Sequence, residues 1–218
     1  MKRSIEQSES GKLTHSEKLN NSRPSVALEG PVCAGKSTLL GTLSGYGFSG
    51  INEYSEYVSS TRKDFPIFPP NSPDVSKASF QFFLELERQR FQSMSDQIVS
   101  GPTILDRSIH TLLAFEVGAK QLTGIDILPW ATKFVSNHPE NIIWPNHIVY
   151  LDLAPDESLL RAKKENHKTA DFLFDSGFNQ GFCSYFLKLK ELYPSCVTFI
   201  DASNSREQVV QDVLGLLF

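Results

Sequence analysis

The chain has 218 residues, 40% of them hydrophobic and 21% charged, with a formal net charge of −4. That is enough apolar material for one domain with a full core. It argues against a general nucleic-acid binder, whose surface would be basic overall, so any anion site has to be a local basic patch. Three cysteines, Cys33, Cys183 and Cys196, are too few and too scattered for a disulfide framework, and no pair has metal-ligand spacing. They point to a reducing, cytoplasmic setting. No apolar run approaches the length of a membrane span, so no membrane partner is expected.

Residues 1–24 are polar and charged and read as a disordered lead-in to a domain over 25–218. An apolar run from Val26 then ends at Gly30. Gly30-Pro31-Val32-Cys33-Ala34-Gly35-Lys36-Ser37-Thr38 follows and opens a helix-period segment at Lys36–Leu43. Gly-x-x-x-x-Gly-Lys-Ser between a strand and a helix is a phosphate-binding loop. Its glycines let successive backbone N–H groups converge on one anion, and the helix N-terminus adds partial positive charge. These nine residues are expected to hold a nucleoside triphosphate, with Lys36 reaching the outer phosphates, Ser37 ligating magnesium and Cys33 a small apolar filler.

A second strand, Gly50–Asn52, leads into Glu53-Tyr54-Ser55-Glu56. A carboxylate at the sheet's carboxyl edge can accept a proton from a substrate hydroxyl. Glu53 is nearer the strand and is preferred to Glu56. The proline-rich stretch Ser59–Pro73 reads as a long loop, followed by a helix over Lys77–Val99. On that helix Gln81 and Arg88 are two turns apart on one face, where an amide and a guanidinium can read a nucleobase or a sugar hydroxyl. A third strand, Thr103–Asp106, ends in a carboxylate able to hold magnesium directly or through water, and Arg107 can stabilise a transferring phosphoryl group. The helix Ile109–Gly118 carries His110, read as a satisfied histidine, and Phe115, a candidate to line the substrate pocket. Trp130 and Trp144 read as packing residues.

The strand His147–Leu153 and the helix Pro155–Glu165 come next, with Pro155 suited to the first helical position. The basic end of that helix, with Arg161 and Lys164, can fold over the phosphates as a lid at about 161–172. Helix Gly181–Leu192, strand Val197–Asp201 and helix Arg206–Leu217, capped by Ser203 or Ser205, complete the series. Strands separated by helices imply a parallel sheet covered on both faces. The expected architecture is an α/β fold: a P-loop three-layer α/β/α sandwich with a five-stranded parallel sheet and a helical lid. Ligands then gather at the carboxyl ends of the strands. A GTPase would carry an Asn-Lys-x-Asp guanine reader, which is absent. A small kinase fits the length, and intact Lys36, Ser37, Asp106 and Arg107 argue against a nucleotide-binding regulator without catalysis.

Together these residues resemble the deoxynucleoside kinase branch of the nucleoside and nucleotide kinases. Glu29-Gly-Pro-Val-Cys-Ala-Gly-Lys-Ser-Thr38 looks like that family's phosphate loop. Phe80-Gln81 with Arg88-x-Arg90 is similar to its base-binding helix, and Asp106-Arg107-Ser108-Ile-His110 resembles its Glu-Arg-Ser motif. Ile200-Asp-Ala-Ser203 falls where its adenine-contacting loop lies. The resemblance implies ATP-dependent phosphorylation of a nucleoside 5′-hydroxyl with Mg2+. It implies Glu53 as base, Arg107 as phosphate and substrate clamp, Gln81 and Arg88 as base readers, and Arg161 and Lys164 closing the lid. Homodimers are common in the family. Departures are Pro31 for Asn, Asp106 for Glu, Tyr54 where a Pro commonly follows the base, Leu112 at a position often polar, and a lid with few arginines. Asp106-Arg-Ser through Ala114-Phe115 also looks like thymidylate kinases, which phosphorylate a monophosphate. The loop lacks the acidic residue those enzymes carry before Gly-Lys, and Gln81-Phe82 fits the nucleoside branch better. The alternatives are therefore a monophosphate acceptor or another small alcohol.

Overall fold

The structure, a computed structural model, describes residues 25–58, 66–96, 102–166 and 169–217. The lead-in read over 1–24 lies outside them, as do part of the proline-rich loop, the end of the helix read to Val99, and His167 and Lys168 of the lid. The described residues form five strands: β1 Ser25–Glu29, β2 Ser49–Ile51, β3 Thr103–Asp106, β4 His147–Asp152 and β5 Val197–Asp201. Seven α-helices alternate with them: α1 Lys36–Gly45, α2 Pro73–Asp96, α3 Ile109–Thr123, α4 Leu128–Asn137, α5 Pro155–Lys164, α6 Ser176–Leu192 and α7 Arg206–Leu217. Single 3-10 turns occupy Tyr54–Tyr57 and Asp171–Phe174.

All strand pairs are parallel, in the order β2-β3-β1-β4-β5. Successive side chains of a strand point to opposite faces. Val26, Leu28, Ile104 and Val149 therefore pack on one face with Leu39, Leu40 and Leu43 of α1 and Val209, Val210 and Val213 of α7. Ala27, Leu105, Ile148 and Tyr150 face the other way, onto Ala114 of α3 and Phe178, Phe182 and Phe186 of α6. This two-sided burial explains why the strands read as continuous apolar runs. Helices α3 and α6 meet through Gly118 and Gly181; a Cβ on Gly181 would lie 2.8 Å from the Val117 carbonyl oxygen, so a side chain there would force the helices apart. A further apolar cluster joins Phe80, Leu84 and Leu86 of α2 to Leu112 and Leu113 of α3 and Ala131 and Val135 of α4. No helix among the described residues is long and apolar enough to cross a membrane.

The expected sandwich and its five strands are present. The differences lie in the helices. Helix α2 begins at Pro73, α3 continues to Thr123, α6 begins at Ser176, and α4 was not anticipated. Ser108 caps α3 by accepting from the His110 N–H at 3.2 Å, and Asp175 caps α6 by accepting from the Phe178 N–H at 2.9 Å. Those side chains satisfy N–H groups that each first turn leaves free.

Candidate active site

The carboxyl ends of β1, β2 and β3 converge on the phosphate loop. Gly30 leaves β1 at φ 129°, and a Cβ there would overlap the Leu151 carbonyl oxygen of β4, so only glycine fits. Cys33 and Gly35 are also left-handed, at φ 56° and 94°, which curls the loop onto the N-terminus of α1. Burial raises the Cys33 thiol pKa, consistent with a filler role. Lys36 is buried and folds back, its Nζ donating to the carbonyls of Pro31 at 2.6 Å and Gly30 at 3.2 Å. Burial and then the neighbouring Arg107 charge push its pKa down to about 7, against the pull of Asp106, Glu53 and Glu29.

Three carboxylates organise the surrounding motifs. Glu29, fully buried, accepts from the backbone N–H of Ser108 at 2.9 Å, its hydroxyl at 2.6 Å, and the Thr111 hydroxyl. This joins the end of β1 to the start of α3. Glu53 follows β2 and pairs with Arg107 Nε at 3.2 Å while accepting the Ser55 hydroxyl at 2.6 Å. Burial works to raise the Glu53 pKa, but Arg107, Ser55 and Lys36 together hold it below the ordinary carboxylate value. Arg107 itself sits at φ 67°, a conformation costly for a non-glycine residue, with its N–H bonded to the Leu28 carbonyl at 3.0 Å and its side chain reaching Gly30 O at 3.3 Å. Asp106 accepts the Ser37 hydroxyl on Oδ2 at 2.6 Å, while its buried Oδ1 has no partner among the described residues.

That orphaned oxygen tests the fit to magnesium. Magnesium takes oxygen ligands, keeps several waters and needs only one or two protein groups beside substrate phosphates. Ser37 and Asp106, side by side with an unsatisfied carboxylate oxygen, suit it. No cluster of three metal-ligating side chains exists among the described residues, which is compatible with such a sparse site.

A cavity of about 1210 Å3 extends from this centre. Its polar end is walled by the phosphate loop, Glu53, Arg107, Arg161, Lys164, Ala202 and Asn204; its other end is aromatic, with Phe68, Phe80, Phe83, Phe115 and Phe172. Arg161 is held at the rim by Glu157 at 3.1 Å and the Ala202 carbonyl at 2.8 Å, and the Ser158 hydroxyl ties α5 to Val32 O at 2.6 Å. The loop after β5, expected near adenine, contributes Ala202 and Asn204 to the wall.

Gln81 and Arg88 are corrected by the structure. Gln81 is exposed, Arg88 is exposed and paired with Glu85 at 3.0 Å, and neither lines the cavity. The cavity face of α2 is instead Ser76, Ser79, Phe80 and Phe83. Below it, Glu87 and Arg90 form an ion pair at 2.7 Å with no side-chain exposure. Arg90 donates to the carbonyls of Asn52 at 2.9 Å, Asp106 at 2.9 Å and Arg107 at 2.7 Å, and its guanidinium lies 4.3 Å from the Tyr54 ring. The sequence names Glu29 and Arg90 only within the family's motifs and assigns no role to Ser76, Glu87 or Glu116; for the two glutamates, a charge embedded among apolar residues is the signal. His110 is buried and bonded to Tyr185 at 2.9 Å, and Trp130 packs on Phe80 and Phe134.

A phosphate loop on a five-stranded parallel sheet, with a carboxylate, an arginine and an aromatic cavity at the strand ends, defines a P-loop kinase site. A model of the deoxynucleoside kinase family matches residues 26–215, and the chain belongs to that family. Deoxyguanosine kinase of Bacillus subtilis (strain 168) is 28% identical over 178 residues, covering 79% of this chain and 81% of that one. Thymidylate kinase of Lactobacillus helveticus (strain DPC 4571) is 26% identical over 204 residues, covering 88% and 94%. The solved structure of deoxyadenosine kinase from M. mycoides with bound dATP superimposes with a TM-score of 0.66 at 16% identity, covering 88% of this chain and 97% of that one. The chain is a phosphotransferase of the deoxynucleoside kinase type.

Proposed function

We propose that this enzyme transfers the γ-phosphoryl group of Mg-ATP directly to the 5′-hydroxyl of a nucleoside or 2′-deoxynucleoside. The observation that carries the reading is Glu53: a carboxylate after β2, anchored by Arg107 at 3.2 Å, in the wall of the cavity that the phosphate loop and the aromatic side chains share. Glu53 takes the proton of the acceptor hydroxyl, and its lowered pKa supports this role by keeping it ionised. The loop backbone, Lys36 and Arg107 orient the phosphates and stabilise charge on the transferring group. Arg161 and Lys164 close over the same phosphates and exclude water. Ser37 and Asp106 would hold a magnesium ion, which would neutralise phosphate charge when bound.

Steady-state ADP release from Mg-ATP tests this against nucleosides, 2′-deoxynucleosides and their monophosphates. Turnover with a nucleoside is expected. Turnover with monophosphates alone would support the second reading, a thymidylate-kinase-like enzyme, which the 26% identity to such a relative over 88% of the chain favours.

A further inference from the structure

Away from the phosphates, the cavity wall is dominated by Phe68, Phe80, Phe83, Leu112, Phe115 and Phe172. Of the carboxyl residues that line the cavity, Glu116 is the buried one. Glu116 lines the cavity, is 6% exposed, and accepts one hydrogen bond, from the Ser76 hydroxyl to Oε2 at 3.0 Å. Oε1 has no partner among the described residues. A carboxyl in such a wall is destabilising unless something pairs with it, so its natural complement is a ligand with an N–H. Its place follows from α3. Glu116 lies seven residues after Ile109, about 10 Å along the helix. That is comparable to the reach of a nucleoside from its 5′-hydroxyl to the far edge of its base.

No described cation answers Glu116. On α3, Lys120 pairs with Asp126 and His110 bonds Tyr185. On α2, Lys77 pairs with Asp74 at 3.6 Å and lies over Trp130. On α4, Lys133 is exposed, and α6 contributes Phe178, Asn179 and Phe182 to the cavity. Burial raises the Glu116 pKa to about 7, opposed only by the Ser76 hydroxyl.

We propose that Glu116 reads the base of the acceptor and selects adenine or cytosine, which carry an amine beside a ring nitrogen, over hypoxanthine, uracil and thymine. The proposal rests on the nucleoside reading above. Oε1 accepts the amine N–H. An oxo group in its place would set two acceptor oxygens against each other when the carboxyl is ionised. When the carboxyl is protonated, it can donate to that oxo group, and discrimination weakens. Selectivity therefore rises as pH rises through about 7, the pKa of this group.

The test is kcat/KM for deoxycytidine against deoxyuridine and deoxyadenosine against deoxyinosine, each pair exchanging one amine for one oxo group. Measurements are made about one unit either side of neutral pH. For the favoured ring size, the amino member should lead by about tenfold or more at the higher pH, and by less at the lower. Lys36 ionises in the same range but acts on both members alike, so it cancels from the ratio. Glu116→Gln keeps the shape and the Ser76 bond, and its amide can turn either O or N–H to the base. The preference should collapse about tenfold and lose its pH dependence. A wild-type enzyme without the preference, or a variant that retains it, overturns the proposal and leaves nucleoside phosphorylation standing. The same pairs as monophosphates form a second arm. An amino preference found only there, and lost in Glu116→Gln, keeps Glu116 as the base reader and overturns the nucleoside acceptor. No turnover and no calorimetric binding in either arm overturns both.

Discussion

Arg90 holds the ends of β2 and β3 together, and its removal gives the sharpest test of how this site is built. Its guanidinium donates to Glu87 and to the carbonyls of Asn52, Asp106 and Arg107, with no side-chain exposure. Arg90→Met leaves Glu87 buried without its partner and three carbonyls without this donor. Breaking a buried pair from one side costs about 3–5 kcal/mol. That is a large share of a domain stability of about 5–15 kcal/mol, so urea denaturation should show it directly. Glu87→Gln/Arg90→Met removes the orphaned charge, lets the amide oxygen still accept the Ile143 N–H, and should recover at least about half of the loss. Activity should not recover with it. Glu53 and Arg107 flank the carbonyls that Arg90 gathers, and a misplacement of about 1 Å is enough to cost about a hundredfold in rate. Arg90→Lys is the intermediate case: it keeps a charge for Glu87 but not the planar fork, and should lose kcat more than stability. A single variant that loses less than about 1 kcal/mol would refute the burial argument. A double variant with full kcat would show that Arg90 supports the fold and does not position the site.

Three further outcomes follow from the same geometry. Glu53→Gln should lower kcat by about a hundredfold to ten-thousandfold with little change in ATP affinity by calorimetry, and equal losses in both would place the base elsewhere. Lys36, with a pKa of about 7 in the free enzyme, is driven to its charged form by bound phosphates. Above pH 7, ATP binding should take up a proton and the Kd should rise by up to about tenfold per pH unit, while below it this dependence vanishes. Calorimetry in buffers of different ionisation enthalpy counts that proton, and a count of zero above pH 7 would contradict the shifted lysine. Gly30→Ala forces a Cβ at φ 129° against the Leu151 carbonyl, so it should destabilise by at least about 1–3 kcal/mol and abolish detectable ATP binding.

The sequence shows most clearly those parts whose physics is local. The phosphate loop announces itself because Gly30 and Gly35 must take backbone conformations that other residues avoid, and Lys36-Ser37 must follow at fixed spacing. The strands read well because burial on both faces leaves unbroken apolar runs. Helix α4 escaped because Ile127, at its N-cap, offers no side-chain hydrogen bond, and Pro129 looks like a breaker although it sits in the first turn, where proline is tolerated. The face of α2 that lines the cavity is hidden for a different reason. Gln81 and Arg88 do share a face, but it is the solvent face; the inner face includes Glu87 and Arg90, which look like surface charges until their i,i+3 pairing and three carbonyl partners are seen.

Glu29 makes the same point at the centre of the site. As the residue before Gly30 it passes for part of the loop motif, yet its buried carboxylate accepts from Ser108 twice and from Thr111 once. The phosphate loop and the Asp106-Arg107-Ser108 motif are 77 residues apart at Gly30 and Arg107 and are expected to act on the same phosphates. What ties them together is a fully buried carboxylate. Spacing in the sequence can identify each motif alone. The bond between them depends on β1 and β3 lying side by side, with Leu28 opposite Asp106, which only the folded sheet supplies.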